Sequence, residues 1–322
     1  MKRDVLEHML ALVDRYVSTD DLNRLLKRFI GARAEGGSRW SELTESAYRM
    51  MGGKSAADMT EAAALSELIM LTLDIVDDLQ DRDKPHKAWM TCPEPFTLNA
   101  VLALLAAFMG EVGRLQRRYA SFSPYMATTV SELIAAAVSG QQKDLNPAAN
   151  IADEADYFAM VQLKSGSLIR LACYMGYALA ENVPEAAAKR LDELCYCLGV
   201  VAQIENDVKN MLALDVRGDL IQRKRTLPIL HLLSNGAEEF PALQELYEGR
   251  LEEREFAERH REECMRYIEA SGCIEYSRIV QSLYYDKAVE LYESIDAAPA
   301  EKERFRLAAL APYEAAGLGK NV

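Results

Sequence analysis

Apolar residues recur every three to four positions along almost the whole chain, the spacing that lines one face of a helix. No stretch alternates in the manner of a half-buried strand, and no repeat or low-complexity segment interrupts the pattern. Glycine and proline supply the punctuation. Gly36-Gly37 and Gly52-Gly53 break the first two helical regions. A helix is expected from near Thr60 to about Asp83, where Pro85 stops it, and the next begins after Pro95. Another opens at Ser123-Pro124, a capping residue followed by proline at the first helical position, and runs to about Asp144. Asn146-Pro147 reads as a loop. Helices follow over 153–180 and 184–214, then a short loop at Arg217-Gly218-Asp219 and a helix opening at Leu227-Pro228. The last ninety residues read as three or four amphipathic helices, and the dense charges from Leu251 to Arg261 as a solvated face. Nothing resembles an interdomain linker, so the expectation is an all-α protein with 1–322 as a single domain.

Composition narrows the function. The 322 residues suffice for a large core, and a net charge of −13 argues against general nucleic-acid binding, which needs a basic face. The six cysteines (Cys92, Cys173, Cys195, Cys197, Cys264, Cys273) form no CxxC pair, and the four histidines are widely spaced. A zinc site is therefore not expected, and thiols in apolar stretches read as core residues. The N-terminus MKRDVLEHML is too polar for a signal peptide, and no apolar run is expected to span a membrane, which makes the cytoplasm the expected compartment.

The segment ELIMLTLDIVDDLQDRD carries the strongest chemical signal. Its first half is nearly all apolar, which predicts a helix buried on most sides. Acidic residues then appear at 74, 77, 78 and 81. Residues four apart share a helical face, so Asp77 and Asp81 project together with Asp78 adjacent, and Asp74 pairs with Asp78. Like charges at that spacing repel, more so when buried, and a hard cation such as Mg²⁺ relieves the repulsion through carboxylate oxygens. The plainer alternative is an ordinary exposed acidic helix end.

A second polar cluster ends the apolar run LCYCLGVVAQIENDVKNML, with Asn206 and Asn210 four apart, Asp207 beside them and Gln203 one turn earlier. Carboxylate and amide oxygens both ligate Mg²⁺, although a satisfied polar helix end explains the same residues. Lys164, early in an otherwise apolar helix, and Lys224, just before a proline-started one, add cations. Two acidic clusters with lysines on apolar helices together suit a diphosphate bound through metal ions beside a hydrophobic cavity.

These segments resemble the trans-isoprenyl diphosphate synthase superfamily. Its DDxxD matches Asp77 to Asp81, and its GQxxDL matches Gly140-Gln141-Gln142-Lys143-Asp144-Leu145. Its K[ST]G matches Lys164-Ser165-Gly166, its QIxDDxxD matches Gln203 to Asn210 in altered form, and its DLxxxKxTLP matches Asp219-Leu220 and Lys224 to Pro228. The resemblance implies a bundle of long helices around a central cavity, with Mg²⁺ held by Asp77, Asp78 and Asp81 on one side and by Asn206, Asp207 and Asn210 on the other. It implies that Lys164, Gln203, Lys224 and Gln141 bind an allylic diphosphate, and that Asp77, Asp78, Asp81, Lys164 and Asp207 carry catalysis. Thr72 and Leu73 fall where the family places its cavity floor, with no aromatic plug, admitting a C10 to C20 donor. Homodimers are common in the superfamily and come into consideration here.

The departures from the family pattern are concentrated on the acceptor side. The GGKRxRP element that grips isopentenyl diphosphate is replaced by Gly36-Gly37-Ser38-Arg39-Trp40-Ser41, and the paired arginine downstream of DDxxD by His86-Lys87, where Lys87 retains one charge. The second acidic motif is NDVKN, and the glutamate of the terpene-cyclase version falls on Leu214. One branch fits this pattern: the bacterial ComQ-type transferases, which prenylate a tryptophan in a small pheromone precursor of competence quorum sensing. Its wording is similar around DIVDDLQDRD, Trp89-Met90 and QIxND. Peptide-tryptophan prenylation is therefore the expected reaction. A short- to medium-chain prenyl diphosphate synthase is the alternative, and a non-catalytic partner subunit is disfavoured by the intact DDLQD.

Overall fold

The computed structural model describes residues 1–82, 84–211, 218–314 and 318, with the backbone alone for 235–238. Every regular element among them is helical, as the apolar period predicts. The chain divides into two compact units.

The first unit comprises 1–133, 170–191 and 295–315. Its centre is the helix Ala56–Asp81, packed by Arg3–Tyr16, Asp20–Glu35, Trp40–Met50 and Glu94–Arg118. An alanine- and leucine-rich sequence with apolar residues on all sides both favours the helix and buries it. Every residue from Glu61 to Thr72 is buried. Ser55 starts the helix by accepting the Asp58 N–H at 3.2 Å. Arg82 ends it in the left-handed conformation (φ 55°), with its N–H on the Asp78 carbonyl at 2.9 Å. The expected end near Asp83 lies at the edge of the described residues.

Helix Glu94–Arg118 corrects one expectation. Its most apolar 18 residues have a mean hydropathy of 1.7, enough by length and composition to cross a membrane, although 39% of that window is buried inside the protein. Phe96, Leu98 and Leu102 of this helix stand exposed.

The second unit comprises 134–169, 192–294 and 316–322. Two apolar clusters hold it together. One is centred on Phe240, Phe256 and Ile268, the other on Tyr157, Val200 and Ile204. The single helix expected over 153–180 is instead Glu154–Val161, a π turn at Gln162–Gly166, and Ser167–Tyr177. At the π turn the Ser167 N–H reaches back to the Gln162 carbonyl. Asn146-Pro147, expected as a loop, starts a one-turn helix, because proline suits the first helical position. The C-terminal region is cut more finely than expected: His260 separates Glu253–Arg259 from Arg261–Ser271, and Gly272 (φ 70°) separates the latter from Cys273–Glu293. Leu214 and Arg217 lie outside the described residues. The cysteines are free, with Cys92 half-buried and the other five buried.

Candidate active site

In the first unit the acidic residues lie at the C-terminal end of Ala56–Asp81. Asp77 and Asp81 are half-buried and share the face their spacing predicts. Asp78 is turned inward. Its Oδ1 accepts from Lys84 Nζ at 2.7 Å and its Oδ2 from Trp89 Nε1 at 2.7 Å. Lys87 sits with its ammonium 5.5 Å from the Trp89 ring centroid. One turn before the motif, Asp74 pairs with Arg33. Crowding by the protein pushes the Asp74 carboxyl above the usual carboxylate range. Arg33 opposes that shift, and the negative charges of Asp77 and Asp78 add to it. Thr72 is buried with its hydroxyl donated to the Leu68 carbonyl at 2.7 Å, and Leu73 is half-buried.

The segment 36–41, expected on the acceptor side, lies in the same unit. Arg39 is exposed. Ser41, which stands where synthases carry an arginine, is buried, and its backbone N–H donates to Glu67 Oε1 at 2.8 Å. Glu67 is itself fully buried and lies 3.5 Å from the Arg33 guanidinium.

The second unit gathers Lys164, Lys224, Gln203 and Asp207 on a different plan. Lys164 Nζ donates to Asp144 Oδ2 at 2.6 Å, and Lys224 Nζ lies 3.8 Å from both Asp144 and Asp219. Burial alone would raise the Asp144 carboxyl, but the two lysines outweigh it and hold it below its ordinary value. Asp207 is buried, taking Tyr157 OH on Oδ2 and Gln203 Nε2 on Oδ1, each at 2.7 Å. Burial and the charge of Asp219 raise it to about 7 against the hydrogen bonds from Tyr157 and Gln203. Gln203 in turn accepts from Ser165 Oγ at 2.5 Å. Asn206 is exposed and Asn210 half-buried, so the two asparagines lie outward on the helix while Asp207 lies inward. Gln141 is half-buried, one turn before Asp144.

The backbone explains the motif glycines. A Cβ on Gly140 would overlap the Lys164 backbone, coming within 2.8 Å of its Cα. A Cβ on Gly199 would lie 2.6 Å from the Gly166 nitrogen. Two helices thus approach the π turn backbone to backbone, which only glycine permits.

Among the described residues, no three His, Cys, Asp or Glu side chains lie close enough to form a metal cage of their own. The donor chemistry nevertheless suits Mg²⁺, which keeps waters, takes phosphate oxygens and needs only one or two carboxylates. Asp77 and Asp81 are two half-buried carboxylates on one helical face, a donor set of that size.

The polyprenyl synthetase family pattern matches residues 26–265. The chain belongs to the polyprenyl synthetase family. It is 28% identical over 302 residues to the tryptophan prenyltransferase ComQ of Bacillus subtilis (strain 168), covering 92% of this chain and 94% of ComQ. It is 29% identical over 163 residues to heptaprenyl diphosphate synthase component 2 of the same organism, covering 49% and 44%. Among solved structures, a geranylgeranyl pyrophosphate synthase superposes with a TM-score of 0.77 at 20% identity, covering 94% of each chain, which shows the all-α isoprenyl synthase fold. This family member is accordingly a prenyltransferase, an enzyme that transfers isoprenyl groups.

Several residues beyond those singled out from the sequence take part. Asp144 and Asp219 were visible inside matched motifs and serve as partners of the lysines. Trp89 was visible only as wording shared with one branch, and Lys84, Tyr157 and Glu67 not at all, because these contacts span 6 to 50 positions in sequence.

Proposed function

We propose that this chain is a Mg²⁺-dependent, cytoplasmic isoprenyl transferase that ionises an allylic diphosphate of the geranyl or farnesyl class and transfers the prenyl group to a tryptophan of a small precursor peptide, with 1–322 acting as one catalytic chain. The observation that carries this reading is Ser41, a neutral residue buried with its backbone N–H on Glu67 where synthases carry an arginine. A diphosphate acceptor needs such a cation, whereas an uncharged indole does not. The likeness to ComQ over nearly the full length of both chains points the same way.

In this reading Asp77 and Asp81 ligate Mg²⁺, and Asn206, Asn210 and Asp207 are further oxygens of the kind Mg²⁺ takes. Mg²⁺ so held would neutralise charge on the departing diphosphate. Lys164 and Lys224 bind diphosphate oxygens directly and are kept in place by Asp144. Gln203 and Gln141 donate amide N–H groups to the same anion. The C–O bond breaks with its electron pair on the diphosphate, leaving an allylic cation that apolar walls, including Leu73, shield from water. Indole C3 forms the new C–C bond, and the resulting cation is discharged by loss of the indole N–H proton.

The test is to offer geranyl or farnesyl diphosphate with a tryptophan-bearing peptide encoded beside the gene and to read the peptide by mass spectrometry. A mass gain of one prenyl group is expected. No gain, together with rapid consumption of isopentenyl diphosphate, would establish the second reading, a short- to medium-chain prenyl diphosphate synthase. The cations remaining at Arg39 and Lys87 favour that reading.

A further inference from the structure

The segment that follows the acidic helix is tied down by a single carboxylate. Asp78 is buried (side chain 3% exposed), and each of its oxygens receives one donor from that segment, Lys84 Nζ and Trp89 Nε1, both at 2.7 Å. Trp89 is 2% exposed, lies edge-on to Phe29 with ring centroids 6.0 Å apart, and accepts the Thr97 hydroxyl on its carbonyl at 3.0 Å. The indole therefore plugs the first unit and joins the end of one helix to the start of the next. Lys87 lies over its face. Lys84, by contrast, is 43% exposed, so its ammonium can turn to solvent without leaving a cavity.

We propose that Asp78 is a positioning residue: through Trp89 and Lys84 it latches residues 84–93, and the latch sets Lys84 and Lys87 as cations for the donor's diphosphate. Direct ligation of a metal by Asp78 would require its oxygens to give up the ammonium or the indole N–H. A buried carboxylate already holding two donors, one of them cationic, has little to gain from that exchange. The proposal rests on the donor half of the function above and not on the nature of the acceptor.

Trp89→Phe keeps the ring packed on Phe29 and beneath Lys87 and removes only the N–H donor. In the metal-free, full-length protein, amide hydrogen exchange across 84–93 is expected to speed up about tenfold, the loss of one charge-assisted hydrogen bond, while Glu94–Arg118 is unchanged. Unchanged exchange over 84–93 would overturn the latch. Calorimetry with Mg²⁺ and inorganic diphosphate is expected to show diphosphate binding weakened about tenfold, with Mg²⁺ half-saturation within about twofold of wild type. Tighter Mg²⁺ binding in the variant would instead identify Asp78 as a ligand that the indole had been blocking, and would also overturn the proposal. In turnover, KM for the allylic diphosphate rises about tenfold while kcat stays within about threefold; a fall confined to kcat would count against positioning. Should Trp89→Phe not fold, Lys84→Met is used for the hydrogen-exchange measurement, with the same reading. None of the first two depends on any acceptor, so a failed peptide-prenylation assay leaves them interpretable.

Discussion

Asp74, one turn before Asp77 and Asp78, and Asp144, in the second unit, are both carboxylates paired with cations, yet their proton affinities move in opposite directions. At Asp144 the charges of Lys164 and Lys224 overcome burial and hold the group ionised. At Asp74 the one guanidinium of Arg33 is set against burial and the neighbouring charges of Asp77 and Asp78, and the carboxyl is raised. The contrast separates two kinds of acidic cluster. Around Asp144 the fold supplies the countercharge, so the aspartate serves to mount the lysines. At the end of Ala56–Asp81 burial and the negative charges of Asp77 and Asp78 outweigh Arg33 at Asp74, and in the function proposed above an external cation relieves that crowding.

Substitutions can break that distinction at several strengths. Asp77→Ala or Asp81→Ala is expected to lower diphosphate release by about a thousandfold or more, the scale of losing one preorganised electrostatic contact at a transition state. The metal-free melting temperature should stay within about 3 °C, because a carboxylate has been removed from a repulsive set. A large drop in melting temperature with normal specific activity of the folded fraction would place these residues in the fold rather than the chemistry. Asp144→Asn should do the reverse and unfold first, costing roughly 3 kcal/mol in urea titration at pH 7 by leaving Lys164 buried without its anion. Because the folded Asp144 is more acidic than its unfolded counterpart, that stabilisation is present above the unfolded value of about 3.9 and is lost as pH falls through the lower folded value. The gap between wild type and variant should therefore close on acidification.

Gly140→Ala adds one methyl against the Lys164 backbone and should cost about 1–3 kcal/mol in the same titration. Asp74→Asn gives the smallest effect, a fraction of a kcal/mol, because the side chain is 44% exposed. Its sign is the informative part. A raised folded pKa means wild type loses stability as pH climbs from about 3.9 through the folded value, so the variant should gain on wild type over that window. A gain on acidification instead would place Asp74 in the same class as Asp144.

Much of this could be read from the sequence, and the reasons are local. Gly37 and Gly52 have φ of 72° and 92°, conformations that other residues adopt only under strain, so the helix breaks at both pairs were legible. Pro85 and the apolar run before Asp77 located the acidic helix, and the motif order located the lysines. What escaped notice depends on distant partners. Nothing in NDVKN distinguishes inward Asp207 from outward Asn206; the difference comes from Tyr157, 50 positions away. Nor does DDLQD reveal that its middle aspartate receives an indole 11 residues later. The π turn at Lys164 arises from helices closing on Gly166 and Gly140 and has no helical period of its own.

That glycine-lined approach bears on how such an enzyme can diversify. Lys164 is carried on a turn held by main-chain contacts from Gly140 and Gly199, where no larger side chain fits. Its mount is thus insulated from mutation of the residues that shape a hydrocarbon pocket. In the function proposed above, resizing Thr72 and Leu73 leaves that main-chain mount unaltered, so tail length and head-group capture become separately adjustable.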